Sequence, residues 1–237
     1  YKAALKYNPN SDYCRKKIAE LEVKVGRVLF VSRKGSDKNS GLSWQQAFRT
    51  IRHALKTARD GDTIIVADGE YREHDLDFAG KAVHLRSANG PEKCVIDCAK
   101  KGRAFNFVSG EGPDTILEGF TIKNGVGHKK IEIVDEEGSK HKFQFGGAIF
   151  CRSSSPTIRN CRFENDGAWN EGGAIYCCNN SNPTIENCRF ENNGAGTHGG
   201  AIYCNNNSNP TIKGCGFRNN SAEWSGGAIS CWDNSSP

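Results

Sequence analysis

Residues 172–198 read GGAIYCCNNSNPTIENCRFENNGAGTH, and residues 199–225 repeat them as GGAIYCNNNSNPTIKGCGFRNNSAEWS. The tetrapeptide Gly-Gly-Ala-Ile also begins at Gly146 and Gly226, so its four copies are spaced by 26, 27 and 27 residues. A repeat of 20 to 50 residues is typical of solenoids, propellers and other arrays, in which one unit cannot bury its apolar face alone. The repeat therefore decides the architecture.

The units have the composition and periodicity of short strands rather than helices. They are rich in Gly, Asn and Ser. Their apolar residues occupy every second position over short stretches, as at Cys161 and Phe163. A 27-residue unit fits one coil of a parallel β-helix, in which each strand pairs with its equivalent one coil later, about 4.8 Å away. Equivalent residues should then stack in columns along the axis.

Several such columns are predicted from the spacing. The inward columns are those of Ile158, Ile185 and Ile212, of Phe163, Phe190 and Phe217, and of the repeat cysteines. The turn asparagines Asn165, Asn192 and Asn219 are expected to hydrogen-bond along the axis as an amide ladder. Outward charges, such as those of Arg159, Glu186 and Lys213, should neutralise one another at about 0 to 1 kcal/mol per pair.

The N-terminal part is built differently. Residues 43–59 follow helical spacing, Ser43 and Gln46 resemble a capping box, and Gly61 follows the last turn, so a helix should cover the open end of the first coil. We expect a helical segment or linker over 1–26, faintly like the end of a tetratricopeptide repeat, and a β-helix over 27–237. Within the β-helix we expect a cap helix over 43–60, degenerate coils over 62–125, an inserted charged hairpin over 126–145 and regular coils over 146–237. The chain is expected to be an excerpt of a longer protein.

Two stretches resemble known families. Gly-Gly-Ala-Ile paired with Phe-x-x-Asn resembles the repeat of polymorphic outer membrane proteins, bacterial surface passengers with a right-handed β-helix. The pairs are Phe190 with Asn193 and Phe217 with Asn220, while Phe163 with Asp166 departs from the pattern. Upstream, GSDKNSGLSWQQAFRTIRHAL and GDTIIVADGEY resemble the cap and first coil of pectate-lyase-like proteins. Together they imply an all-β fold, a right-handed parallel β-helix solenoid with an N-terminal α-helical cap, in a secreted protein or at the bacterial cell surface or outer membrane.

Composition excludes several classes of protein. No run of about 18 apolar residues is present, so no transmembrane segment is predicted. Residues 1–150 carry 26 Lys/Arg against 20 Asp/Glu, a net charge of +6, while residues 151–237 have a net charge of −1. This basic excess is spread along the sequence, so no nucleic-acid partner is expected.

Cysteine and acidic side chains are the candidates for disulfide bonds and metal sites. Stacked cysteines in a parallel ladder are too far apart for disulfides, so the 11 cysteines are expected to be mostly buried thiols, with Cys178 the most exposed. Cys94 and Cys98 are the one zinc candidate, and they lack a second pair. One stretch of the first coil is acidic, and we interpret it as a solvated loop in preference to a calcium site; its residues are Asp68, Glu70, Glu73, Asp75 and Asp77. We predict no metal and no cofactor, with calcium only if the protein is a lyase.

The loops before each Gly-Gly-Ala-Ile are the candidate binding surface. They are equal in length and should stack along one edge, where the unit-to-unit variation concentrates. The candidate ligand-binding residues are Trp169, Glu171, His198 and Trp224. Trp169 and Trp224 are expected two coils apart, either stacking on sugar rings or a protein partner or folding over the corner as packing.

Two functions are open at this point. The first is a non-catalytic surface or secreted β-helix that acts as an adhesin, scaffold or binding module for polysaccharide or a cell-surface protein. The alternative is a polysaccharide-active enzyme, a pectate-lyase-like lyase or glycoside hydrolase, whose active site lies outside this excerpt. No catalytic residue is nominated, because no base and carboxylates converge on adjacent coils of near-identical repeats.

Overall fold

The computed structural model describes residues 8, 11–16, 26–127, 131–134 and 140–237. Three long parallel sheets run the length of the solenoid, which confirms the predicted all-β, β-helical fold. Of the expected N-terminal helical segment, residues 12–16 are helical, and the rest lies outside the described residues. No helix within the described ranges is long and apolar enough to cross a membrane.

Each of six coils contributes one strand to each long sheet, and Val28–Val31 adds a seventh strand to the first sheet. The first sheet contains Val28–Val31, Thr63–Val66, His84–Ser87, Ile116–Glu118, Thr157–Arg159, Thr184–Glu186 and Thr211–Lys213. The second contains Gly69–Tyr71, Cys94–Asp97, Thr121–Lys123, Arg162–Glu164, Arg189–Glu191 and Gly216–Arg218. The third contains Leu76–Asp77, Phe105–Phe107, Ile149–Arg152, Ile175–Cys178, Ile202–Cys204 and Ile229–Cys231. A short corner sheet joins Gly167–Ala168, Gly194–Ala195 and Ser221–Ala222.

The predicted columns form the core. Phe163, Phe190 and Phe217 pair in register, and their rings stack with centroids 4.8 and 5.0 Å apart and planes 7° from parallel. Ile158 and Ile185 are fully buried beside them. Burying one such side chain contributes about 1.5 to 3 kcal/mol, so the stacked columns account for much of the stability of each coil.

The glycine pair of Gly-Gly-Ala-Ile has two separate physical roles. The first glycine turns the chain in the left-handed region, with φ between 59° and 68° at Gly146, Gly172, Gly199 and Gly226. The second glycine lies against the next coil, where a Cβ on Gly173 would be 2.1 Å from the carbonyl oxygen of Gly200. The motif therefore marks a place where successive backbones approach too closely to admit a side chain.

The cap differs from the predicted single helix over 43–60. The structure has a 3-10 turn at Trp44–Gln46, capped as expected by Ser43, and a separate helix at Ile51–Thr57. Between them Phe48 is extended, because its amide donates to the Phe30 carbonyl and its carbonyl accepts from Ser32. Strand pairing thus competes with the helix here, and Thr50 starts the helix anew by accepting from the amide of His53.

The amide ladder lies one residue later than predicted. Asn165, Asn192 and Asn219 turn the backbone with φ of 56°, 55° and 52°, and the ladder is formed by Asp166, Asn193 and Asn220. Each ladder amide also fixes the preceding coil, since Nδ2 of Asn193 donates to the carbonyl of Phe163 at 3.0 Å. The left-handed turns explain why the repeats are rich in asparagine.

The predicted hairpin is present as a backbone feature. Ile131–Val134 and Lys140–Phe143 pair antiparallel, in contrast to the parallel coils. Both strands lie between Gly127 and Gln144 in the chain, within the predicted range of 126–145.

The cysteines are free thiols, as predicted, and eight of the 11 are buried. The expectation for Cys178 is wrong: it is 8% exposed, because it packs in an outer cluster with Phe150, Tyr176 and Tyr203. The partly exposed thiols are Cys14, Cys215 and Cys231.

We predict that three thiols react rapidly with an aromatic disulfide reagent in the native protein, and all 11 in urea. Cys215 should react first, because a hydrogen bond from the Cys188 thiol lowers its pKa to about 7 and increases its thiolate fraction. Cys215→Ser should remove the fastest phase and leave two reactive thiols. Rapid native reaction of Cys178, or fewer than 11 thiols in urea, would contradict this assignment.

Candidate functional site

An aromatic column lies on the outer face of the third sheet. Phe150, Tyr176 and Tyr203 occupy equivalent positions on successive coils, with ring centroids 5.6 and 5.5 Å apart. All three are buried, at 4 to 6% exposed. We call these residues the aromatic stack. It was not predicted from the sequence, although its signal is the residue between Ile and Cys in each Gly-Gly-Ala-Ile-x-Cys.

Two further side chains cover the stack. The Arg103 guanidinium lies 4.7 Å from the centre of the Phe150 ring, and Phe145 stacks on Tyr176 at 4.6 Å. Burial lowers the pKa of Arg103 to about 10, so it remains charged at neutral pH. Because Phe145 follows the hairpin directly, the base of the hairpin is held against the aromatic stack.

His198 continues the aromatic surface toward the loops. Its ring centroid is 5.9 Å from Tyr203, 5.5 Å from Trp224 and 5.9 Å from Trp232. Trp224 and Trp232 are 73% and 56% exposed, while the His198 side chain is only 15% exposed. His198, Tyr203, Trp224 and Trp232, together with Glu171, form what we call the aromatic edge.

The polar groups of the aromatic edge are only partly satisfied. Glu171 Oε1 lies 3.9 Å from His198 Nδ1, and burial raises the pKa of the Glu171 carboxyl. The buried atoms His198 Nδ1 and Asn205 Oδ1 have no hydrogen-bond partner among the residues that the structure describes. Buried polar atoms normally have partners, so these atoms are exceptions that lie beneath the exposed rings.

The four predicted site residues fall on two surfaces. Glu171, His198 and Trp224 meet in the aromatic edge, and Trp232 joins them without having been predicted. Trp169, 82% exposed, instead lines a shallow groove of about 470 Å³ with the Gly194–Ala195 corner strand and Glu223. Trp169 is equivalent to Gly196 on the next coil, whereas Trp224 is equivalent to Thr197, one residue further along the loop. The two indoles therefore do not form the expected pair.

The acidic run of the first coil is divided among local contacts. Asp68 accepts from Asn89, Asp77 from the amide of Ala79, and Asp75 lies 2.9 Å from His74. Glu70 accepts from Lys123, and Glu73 from two amides at the start of the cap helix. Within the described ranges no three His, Cys, Asp or Glu side chains are grouped as metal ligands. These carboxylates therefore act as caps and ion-pair partners.

The in-register parallel coils define the family. A model of the family described as right handed beta helix region matches residues 73–237. The chain belongs to this right-handed β-helix family. The matched range contains all residues of the aromatic stack and of the aromatic edge.

Other similarities of this β-helix protein are more limited. The uncharacterized protein YwoF of Bacillus subtilis strain 168 is 42% identical over 48 residues, which are 20% of this chain and 10% of that protein. The solved structure of a rhamnogalacturonan lyase has a TM-score of 0.45 at 13% identity, over 80% of this chain and 56% of the lyase. A GH136 lacto-N-biosidase from Eubacterium ramulus has a TM-score of 0.41 at 13% identity, over 86% of this chain and 36% of the enzyme. The β-helix chain thus spans about a tenth of its curated relative and less than two thirds of either enzyme.

Proposed function

We propose that this β-helix is a non-catalytic binding module that holds a carbohydrate chain on the aromatic edge. The observation that supports it is the pair of exposed indoles, Trp224 and Trp232, whose ring centroids lie 5.5 and 5.9 Å from that of His198. Sugar rings have apolar faces that stack on aromatic rings, and hydroxyls that bond to carboxylate, imidazole and amide groups.

The rigidity of the surface supports this proposal further. Tyr203 belongs both to the aromatic edge and to the aromatic stack, so the platform is tied to buried rings on successive coils. A site that is ordered before binding loses less conformational entropy when it binds. A linear polysaccharide running along the coil axis would meet the loops of successive units, as an extended recognition edge requires.

The setting that we propose is a secreted protein or the bacterial cell surface. The Gly-Gly-Ala-Ile and Phe-x-x-Asn repeat, which resembles that of polymorphic outer membrane proteins, supports this assignment. Burial of eight thiols would protect them from oxidation there. A cell-surface protein partner and a polysaccharide-active enzyme are the competing outcomes.

We expect Trp224→Ala combined with Trp232→Ala to weaken binding of a neutral oligosaccharide by about tenfold or more, because two stacking rings are lost. The probes are immobilised cello-, xylo-, manno- and chito-oligosaccharides, read by surface plasmon resonance. Trp169→Ala is the matched control, since it removes an exposed indole from the other surface.

Each alternative outcome has a distinct meaning. Binding lost in the Trp169 variant and kept in the double variant would move the site to the groove of Trp169 and refute the aromatic edge. No binding to any of the four probes would also count against the carbohydrate proposal, with a protein partner then favoured. Release of shortened products from these oligosaccharides or from polygalacturonate would show an enzyme instead.

A further inference from the structure

A cavity of about 480 Å³ lies at the cap end of the solenoid, apart from the aromatic edge. Its walls come from the first coil and from the loop that precedes the cap helix, and the lining residues are Arg33, Arg49, Thr50, Glu70, Tyr71, Arg72 and Glu73. We call it the cap cavity. It lies within residues 1–150, which carry a net charge of +6, and its volume is in the range of small-molecule sites.

The two carboxylates of the cap cavity are already engaged. Glu73 accepts from the amides of Ile51 and Arg52 at 2.8 and 2.9 Å, which also uses the first free amides of the short cap helix. Glu70 Oε2 accepts from Lys123 Nζ at 2.9 Å. Glu73 is engaged by backbone amides and Glu70 by Lys123 and Arg72, so neither carboxylate pairs with the guanidinium of Arg33 or Arg49.

The arginines keep their hydrogen-bonding capacity. The guanidinium groups of Arg33 and Arg49 have no carboxylate partner in the described part of the chain, and Arg72 Nε is 3.6 Å from Glu70. Arg33 is also placed by its surroundings: its stem runs across Gly69, where a Cβ would lie 3.2 Å from Arg33 Cδ. A guanidinium presents its donors in a fixed fork that matches the geometry of an oxyanion.

We propose that the cap cavity binds the oxyanion of a small acidic ligand, such as a uronate carboxylate or a phosphate, through Arg33 and Arg49 with Arg72 at the rim. The Glu70–Lys123 and Glu73 contacts hold the wall in place and do not take part in binding. This site is independent of the proposed carbohydrate edge, which lies on regular coils further along the solenoid.

The test measures binding of D-glucuronate, inorganic phosphate and D-glucose to the whole chain by isothermal titration calorimetry. We expect glucuronate or phosphate to bind and glucose not to bind. Arg33→Gln with Arg49→Gln should weaken anion binding by about tenfold or more, since charge-assisted bonds are lost. The matched control is Arg189→Gln with Arg218→Gln, two exposed arginines of the regular coils, which should bind as the unaltered chain does.

A second measurement does not depend on the folding of a variant. Phenylglyoxal modifies accessible arginines, and mass spectrometry of the unaltered protein should show Arg33 and Arg49 protected by the bound anion while Arg189 and Arg218 are not. Glucuronate binding without phosphate binding identifies the sugar acid as the ligand class, and binding of both identifies the oxyanion. Equal protection of all four arginines, equal loss in both double variants, or no anion binding would overturn the proposal.

Discussion

Gly173→Ala should destabilise the protein by about 4 kcal/mol or more, or prevent cooperative folding, although it adds a single methyl group. A Cβ at Gly173 would lie 2.1 Å from the carbonyl oxygen of Gly200 and 2.6 Å from that of Gly194. Both obstacles are backbone atoms of the next coil, which cannot move aside without breaking the parallel ladder. Urea unfolding followed by far-ultraviolet circular dichroism measures the loss.

Gly216→Ala is the matched control for this prediction. Gly216 lies in a strand of the second sheet, and a Cβ there would meet no atom within 4 Å. We expect the free energy of unfolding of Gly216→Ala to differ from that of the unaltered protein by about 1 kcal/mol or less. Any change should be stabilising where the added methyl group lowers the conformational entropy of the unfolded chain. Similar stability of the two variants would mean that the coils are not stacked as closely as described.

Asp166→Asn should stabilise the protein by about 1 to 3 kcal/mol at neutral pH, the range for relieving an unsatisfied buried group. Asp166 is 1% exposed; its Oδ1 accepts from the Gly125 amide at 2.6 Å, while Oδ2 has no partner among the described residues. Asn193, at the equivalent position, donates to the Phe163 carbonyl. The equivalent acceptor for residue 166 is the carbonyl of Ile122, which is paired with Phe163.

The pH dependence of this stabilisation has a defined sign. Burial raises the pKa of Asp166 well above its usual range, so the folded state holds its proton more tightly than the unfolded chain does. Stability of the unaltered protein should therefore fall as the pH rises from about 4, the value of an unfolded Asp, through the raised folded pKa. The advantage of Asp166→Asn should grow over the same window and then level off.

Asn193→Asp provides the opposite change on the next coil. It removes the bond from Asn193 Nδ2 to Phe163 and the bond to Asn220 Oδ1, so we expect a loss of about 1 to 3 kcal/mol. Thermal unfolding at several pH values compares both variants with the unaltered chain. A destabilised Asp166→Asn, or a stability difference independent of pH, would show that Asp166 is ionised and satisfied in the fold.

The fold could be predicted from the sequence because the repeat fixes the register. Once Phe163, Phe190 and Phe217 are seen at one period, parallel pairing places them in one column, and no longer-range information is needed. The cap helix could not be predicted in full. The apolar spacing of Phe48 suits a helix, but its backbone hydrogen bonds to the first strand replace the helical bonds, and the sequence does not encode that pairing as a pattern.

The candidate site was predictable only in part, for similar reasons. Two adjacent asparagines, as in Asn192 and Asn193, leave open which residue turns the chain and which forms the ladder. The approach of Trp232 to His198 depends on the path of two loops that belong to different coils. The column that contains Tyr176 and Tyr203 has a signal at a fixed place in the repeat, where an aromatic residue stands between Ile and Cys.

The single 27-residue period has a consequence for how such a chain can change in length. Because each regular strand contacts its equivalents one period away, removal or duplication of one whole unit leaves the register of the columns, turns and ladder unchanged. Unequal recombination between near-identical gene segments would then produce viable chains, whereas a shift by one residue would place every inward side chain on the outside. What changes from one viable length to another is the order of loops such as those of His198 and Trp224, so the surface can diversify by exchange of modules while the scaffold is inherited unaltered.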